Sequence, residues 1–150
     1  MELTISQGTM GVRNPVTKAH PDFLKKLGEE GMRKLVSDHY DLLVKSEINY
    51  LFPTSGEDLI NAKKHAADFM IQINGGPKYF NESRGAPQMV GRHNPFRITM
   101  EARTVWLDLY RTLLADLKGA DGQPIDEELV LGWWNYLDVF SQWMVNTPSS

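Results

Sequence analysis

Apolar residues recur at intervals of three and four along most of this chain, the spacing that lays one apolar stripe along an α-helix. From Glu30 to Val44 the stripe is Met32, Leu35, Val36, Leu43 and Val44, with Tyr40 among them. A shorter helix precedes it from about Pro21 to Leu27, where Asp22 puts a carboxylate in the first turn, the end of the helix dipole that favours negative charge. Phe52-Pro53 makes a corner, and Ser55 is placed to cap a third helix whose stripe is Leu59, Ala62, Ala66, Phe69, Met70 and Ile73. That helix must stop at Asn74-Gly75-Gly76-Pro77, because glycine accepts the left-handed cap conformation and proline cannot continue a helix. Ile98, Trp106, Leu109, Tyr110, Leu113, Leu114 and Leu117 predict a helix over 99–117. Leu129, Trp133, Leu137, Phe140 and Met144 predict another over 126–145, with Pro124 and Asp126 as start signals. No segment alternates with period two to a comparable degree, so the predicted class is all-α.

Two stretches fall outside this pattern. Residues 1–17 carry little periodicity and end in Arg13-Asn14-Pro15, which predicts a mobile or loosely docked extension over 1–20, ahead of a folded domain over 21–148. Residues 77–97 hold Gly85, Pro87, Gly91 and Pro95 and form a long irregular connection, of a kind that inside a compact domain is usually functional or disordered.

Composition narrows the chemistry. The 150 residues include 16 Lys and Arg against 19 Asp and Glu, a formal charge of −3, so the chain lacks the basic field that nucleic acid or an anionic membrane surface would favour. There is no run of 18 apolar residues and no charged start followed by an apolar run, so neither a membrane span nor a signal peptide is predicted, and a cytoplasmic location is expected. The absence of cysteine removes disulfides, thiol nucleophiles and thiolate-bound metals. Soft-metal chemistry must therefore run through histidine.

There are four histidines. His20 precedes Pro21 at a helix start and reads as an exposed or capping residue. His39, beside Tyr40, reads as a partly buried, hydrogen-bonded side chain, or as one that lines a pocket. His65 in Lys63-Lys64-His65 belongs either to a solvated face or to a rim that faces an anion. His93 sits in Gly91-Arg92-His93-Asn94-Pro95-Phe96-Arg97, where Pro95 restricts the backbone and Met89, Val90 and Phe96 flank the ring with apolar surface. Such a histidine is either an ordinary loop residue or a metal ligand whose second nitrogen bonds to the backbone. Common catalytic patterns are absent: there is no His-Glu-x-x-His or Gly-x-Ser-x-Gly, and Gly75-Gly76-Pro77 lacks the lysine and serine of a phosphate loop. The pairs Glu29-Glu30, Glu57-Asp58 and Glu127-Glu128 sit in first turns, where the dipole explains them. Trp133, Trp134 and Trp143 read as core or interface residues.

Phe52-Pro53, Asn74-Gly75-Gly76-Pro77, Arg84-Gly85-x-Pro87, Arg92-His93-x-Pro95-Phe96-Arg97-Ile98, Arg103-x-x-Trp106-Leu107 and the ending Val145-Asn146-Thr147-Pro148 occur in order and at fixed spacing. Together, over residues 30–147, they make the chain resemble the group II truncated haemoglobins. The resemblance implies a two-over-two helical sandwich in which helix pairs B/E and G/H enclose haem b, with His93 as the axial iron ligand and Arg92 and His65 as partners of the haem propionates. It also implies that Tyr40 and Trp106 face the gas ligand. Phe52 falls where many members carry tyrosine, and Phe80 where a tyrosine is common. Ala62 and Ala66 occupy positions usually held by larger side chains, implying open access for ligands. Phe69, Met70, Met89, Phe96 and Leu137 are the expected apolar walls. The implied partners are O2, CO and NO, together with an electron donor that this chain does not encode. The implied function is ligand holding or sensing rather than bulk transport, with oxidation of NO or peroxidase-like turnover as the alternative.

Overall fold

A computed structural model of the chain describes residues 1–149. In chain order it forms helices α1 (Asp22–Leu27), α2 (Glu29–Leu43), α3 (Gly56–Ile73), α4 (Tyr79–Arg84), α5 (Met89–His93), α6 (Met100–Leu114) and α7 (Glu127–Met144), with a 3-10 turn at Asn49–Leu51. No strand occurs among the described residues, so the all-α expectation holds. Helices α2 and α3 pack on each other and α6 packs on α7, while α2 also meets α6 and α1 meets both α2 and α7. The two pairs bury a shared core around Phe23, Met32, Val36, Ile71, Leu107, Trp133 and Leu137, each essentially free of solvent contact.

The helix ends follow from local chemistry. At the end of α3, Gly76 N–H donates to the Ile71 carbonyl and Gly75 N–H to the Gln72 carbonyl, a closure that requires the left-handed Gly75, at φ +91°. Gly76 is equally fixed, since a Cβ there would stand 2.6 Å from Ile71 Cγ2 and 2.8 Å from its carbonyl oxygen. Thr99 caps α6 by accepting from Ala102 N–H at 3.1 Å. Ser55 occupies the cap position of α3, but its side chain makes no capping bond, and the same is true of Asp126 at α7.

Three features differ from the periodicity. Helix α6 ends at Leu114 rather than near Leu117, because the following turn is drawn off to bond elsewhere: Gly119 N–H donates to Gln123 and Ala120 N–H to the carbonyl of Lys26. The irregular stretch 77–97 contains α4 and α5, which span six and five residues and are too short to show a helical period. The first residues are closely docked rather than loose. Leu3 and Ala19 are buried in the core, and α6 and α7 hold the irregular N-terminal segment through its backbone. Trp134 Nε1 donates to Thr4 O, Trp143 Nε1 to Asn14 O and Arg111 Nη1 to Leu3 O, all at 2.8 Å, and Ser6 N–H donates to Asp138 Oδ1 at 3.0 Å. A segment held by its own carbonyls leaves no periodic signature.

Candidate functional site

Helix α5 starts from Gln88, whose φ of +44° puts a non-glycine residue in the left-handed region, and ends on His93. His93 Nδ1 lies 2.6 Å from the Met89 carbonyl oxygen. A carbonyl can only accept, so Nδ1 carries the proton and Nε2 keeps its lone pair. Burial lowers the ring's pKa below its ordinary value, which favours the neutral form that ligates metals. The chain beyond is held by Asn146: Ile98 N–H donates to its Oδ1 at 3.0 Å, and its Nδ2 donates to Phe96 O at 2.9 Å and His93 O at 3.3 Å.

His93 lines a cavity whose other walls include Tyr40 from α2, Phe52 and Pro53 from the corner, Phe96 and Ile98 after α5, Trp106 from α6, and Phe140 and Met144 from α7. Tyr40 and Phe52 meet edge to face with centroids 5.7 Å apart. Burial pushes the Tyr40 hydroxyl up to about 12, so at neutral pH it remains a donor. Among the described residues, no protein acceptor engages the Tyr40 hydroxyl or the Trp106 indole N–H. One cavity thus joins a bare imidazole nitrogen, two free donors and mostly apolar walls.

Arg103, one turn before Trp106, also borders this cavity and is 4% exposed. Its Nη2 donates to the Asp138 carboxylate and carbonyl, both at 2.7 Å, its Nε to Ser141 Oγ at 2.9 Å and its Nη1 to Ser6 O at 2.9 Å. The sequence singles it out only as part of a motif. Asn146 likewise stands out only within the chain's ending, because the partners of both residues are distant in sequence.

The other expected site residues, Arg92 and His65 included, lie outside the lining of this cavity. Ala62 and Ala66 lie half-buried on α3 and are not among its lining residues. Phe69 and Met70 are buried in the main core, with Phe69 against Phe80 and against Phe140, which does line the cavity. Leu137 is wholly buried. Met89 contributes its carbonyl to His93, and Phe80 is buried beneath the Arg92 guanidinium, 5.1 Å from the ring centre. Arg92 Nε donates to Pro87 O at 2.6 Å, and its Nη2 to Arg84 O and Ala86 O at 2.9 and 3.2 Å, so it also clasps the loop between α4 and α5. His65 keeps a buried Nδ1 without a partner. Its pKa is lowered first by burial and then by Arg84, Lys64 and Arg92, with Asp68 opposing. Arg84, Lys64 and Arg92 therefore put a positive field around a His65 ring that is itself held neutral. His20 caps α1 by accepting from Asp22 N–H, and His39 is buried behind Trp106 rather than lining the cavity.

A family model described as bacterial-like globin matches residues 23–142. The chain belongs to the bacterial-like globin family. Among curated relatives it is 31% identical over 97 residues to the group 2 truncated hemoglobin YjbI of Bacillus subtilis, covering 65% of this chain and 71% of that one. It is 29% identical over 94 residues to the two-on-two hemoglobin-3 of Arabidopsis thaliana, covering 61% of this chain. The matched region spans about half the length of that plant relative, 53%. Among solved structures, phosphate-bound Hell's gate globin IV superposes with a TM-score of 0.83 at 34% identity, covering 98% of this chain and 89% of that one. The group II truncated hemoglobin of Bacillus anthracis superposes at 0.74 with 27% identity, covering 86% and 98%. The Bacillus subtilis structure, described as oxygen-avid, gives 0.70 at 26% identity, covering 83% and 98%.

As a globin the chain binds haem, and this cavity's donor set fits that group. A neutral imidazole whose far nitrogen is held by a backbone carbonyl suits iron. Outside the cavity lining, the unpartnered His65 Nδ1 in the positive field of Arg84, Lys64 and Arg92 suits a carboxylate. No described helix is long and apolar enough to cross a membrane.

Proposed function

We propose that this globin holds haem b through His93 and binds O2, CO and NO, retaining O2 tightly rather than carrying it in bulk. The observation that carries the reading is the single cavity shared by His93, Tyr40 and Trp106. Haem supplies an iron that takes a diatomic gas at its open coordination position. The protein supplies the rest. Met89 O fixes the His93 ring and its tautomer, and the apolar walls exclude water and favour an apolar ring at about 25 cal/mol per Å² buried. Tyr40 and Trp106 offer donors to a polar ligand, an electrostatic stabilisation that strengthens in a dry site. Arg92 and His65 are the partners proposed for the propionates, with Arg84 adding to the same positive field. Of the expected apolar walls Phe96 lines the cavity itself and Met89 holds His93 through its carbonyl, while Phe69, Met70 and Leu137 back the site from the core and Ala62 and Ala66 stand on α3 outside the cavity lining.

The test is the absorption spectrum of the His93→Ala variant. We expect loss of the Soret band and of retained haem, recovered when imidazole is added, while His65→Ala still loads. A normal spectrum for His93→Ala without imidazole would overturn the assignment of the iron ligand.

A second reading, oxidation of NO or turnover of peroxide with electrons from a separate reductase, is supported by the same two donors, since tight holding of O2 suits chemistry better than release. Stopped-flow mixing of the oxygenated protein with NO separates the two: consumption at the mixing limit supports turnover, and slow consumption supports holding or sensing.

A further inference from the structure

His39 immediately precedes Tyr40 on α2, yet its ring faces away from the cavity and is 1% exposed. Its Nε2 lies 2.9 Å from the carbonyl oxygen of Trp106. Because that oxygen can only accept, Nε2 is the donor. The imidazole stacks on Tyr110 with centroids 3.5 Å apart and planes 17° from parallel, and it stands edge-on to Trp106 at 5.2 Å and 87°. Trp106 and Tyr110 are themselves 4.9 Å apart and nearly perpendicular. The ring is thus a wedge between two aromatic side chains one turn apart on α6, bonded to the backbone of the first.

Packing alone does not call for histidine here. A leucine or phenylalanine would fill the space without the cost of desolvating an imidazole. What histidine adds is one directed bond, made to the residue whose indole faces the ligand cavity. Its neighbour Tyr40 lines the same cavity from α2. Two consecutive residues of α2 therefore address Trp106: one grips its backbone, and the other shares its ligand space.

We propose that His39 is a positioning residue that fixes the separation between the Tyr40 hydroxyl and the Trp106 indole N–H, and so sets how strongly the cavity holds O2 relative to CO. The proposal rests on the reading of Tyr40 and Trp106 as ligand donors. Its physical basis is the steep dependence of hydrogen bonds on distance and angle, so that a donor displaced by about half an ångström loses much of its effect. Burial lowers the His39 pKa to about 3, so the anchor adds no charge beside the cavity at neutral pH.

The test uses the haem-loaded, CO-bound full chain and reads the infrared C–O stretch, which reports the polarity around the ligand independently of turnover, together with the O2 dissociation rate. Four proteins are compared: wild type, Trp106→Phe, His39→Phe, which keeps the stacked ring but not the bond, and His39→Gln, whose amide N–H has a similar reach. We expect His39→Phe to broaden the CO band and move it toward the Trp106→Phe position, to raise O2 dissociation about 5- to 10-fold, and to change CO dissociation less. We expect His39→Gln to stay near wild type. If Trp106→Phe shifts the band while His39→Phe keeps the wild-type band and off-rate, His39 is a packing residue only and the proposal falls. If Trp106→Phe itself changes neither, the donor reading falls and takes this proposal with it. Should His39→Phe fail to load haem, His39→Leu carries the same comparison.

Discussion

Tyr40 and Trp106 reach the cavity with hydrogen atoms that no protein group claims, so their effect should appear only when a polar ligand is bound. Tyr40→Phe and Trp106→Phe are each expected to accelerate O2 dissociation by about 10- to 150-fold, the equivalent of one bond of about 1.5–3 kcal/mol to a charge-bearing acceptor. CO dissociation, measured in the same stopped-flow experiment, should change less because bound CO accepts poorly. Equal effects on both gases would mean that the side chains act by blocking the path. His39 carries a different signature. Unfolded, it titrates near 6.5, while in the fold burial holds it at about 3. Between those values the unfolded chain takes up a proton that the native one refuses, so stability is full above pH 6.5 and falls as the pH drops, by about 1.4 kcal/mol per unit. Urea unfolding at pH 7.5 and pH 5 should show about 2 kcal/mol less acid loss in His39→Phe than in wild type; identical slopes would show that His39 meets solvent. At this scale the sequence is informative where a residue sits in a local motif. His93 stands out beside Pro95 and Phe96, as does Trp106 three residues after Arg103. Asn146 does not, and His39 is legible only as a buried, hydrogen-bonded side chain and not by its partner, because the carbonyl groups of Phe96 and Trp106 that they bind are distant along the chain.

The longer helices are legible as elements because each buries a stripe that repeats every 3.6 residues. Helices α4 and α5 are hidden, since neither completes two turns. Their geometry is set by other means: the left-handed Gly85 ends α4, the left-handed Gln88 starts α5, and Arg92 folds back onto the carbonyl of Arg84 at the end of α4 and those of Ala86 and Pro87 in the loop. The contact between α6 and α7 has its own hidden centre in Arg103 and Asp138, a nearly solvent-free ion pair whose other hydrogen bonds go to Ser141 and Ser6. Arg103→Met leaves the carboxylate buried without its cation, and a loss of about 3–5 kcal/mol is expected in denaturant unfolding. Adding Asp138→Leu should recover much of it, because the penalty lies in the stranded charge. If the single and double variants are equally unstable, the pair contributes through shape and not through charge.

Over the whole molecule, residues 1–20 complete the α6–α7 face rather than trailing from it. The absence of periodicity in the sequence gives no hint of this, since the segment's backbone is held by Trp134, Trp143, Arg103 and Arg111. Removing residues 1–14 strips partners from all four side chains and from Asp138, and it opens the site filled by Leu3. With bonds worth about 1 kcal/mol each and a buried leucine about 1.5–3, the melting temperature should fall by on the order of 10 °C. An unchanged melting curve would show that the segment rests on the surface without stabilising it. The same docking has a temporal consequence. Ser6 and Asp138 are 132 residues apart in sequence, as are Thr4 and Trp134 by 130, so on the ribosome the N-terminal segment is made long before its binding groove exists. It must wait unpaired until α7 has emerged. The closing of the longest loop in the fold, with the largest entropy of closure, is therefore expected to come last, and it completes the hydrogen bonding of Arg103 at the edge of the pocket.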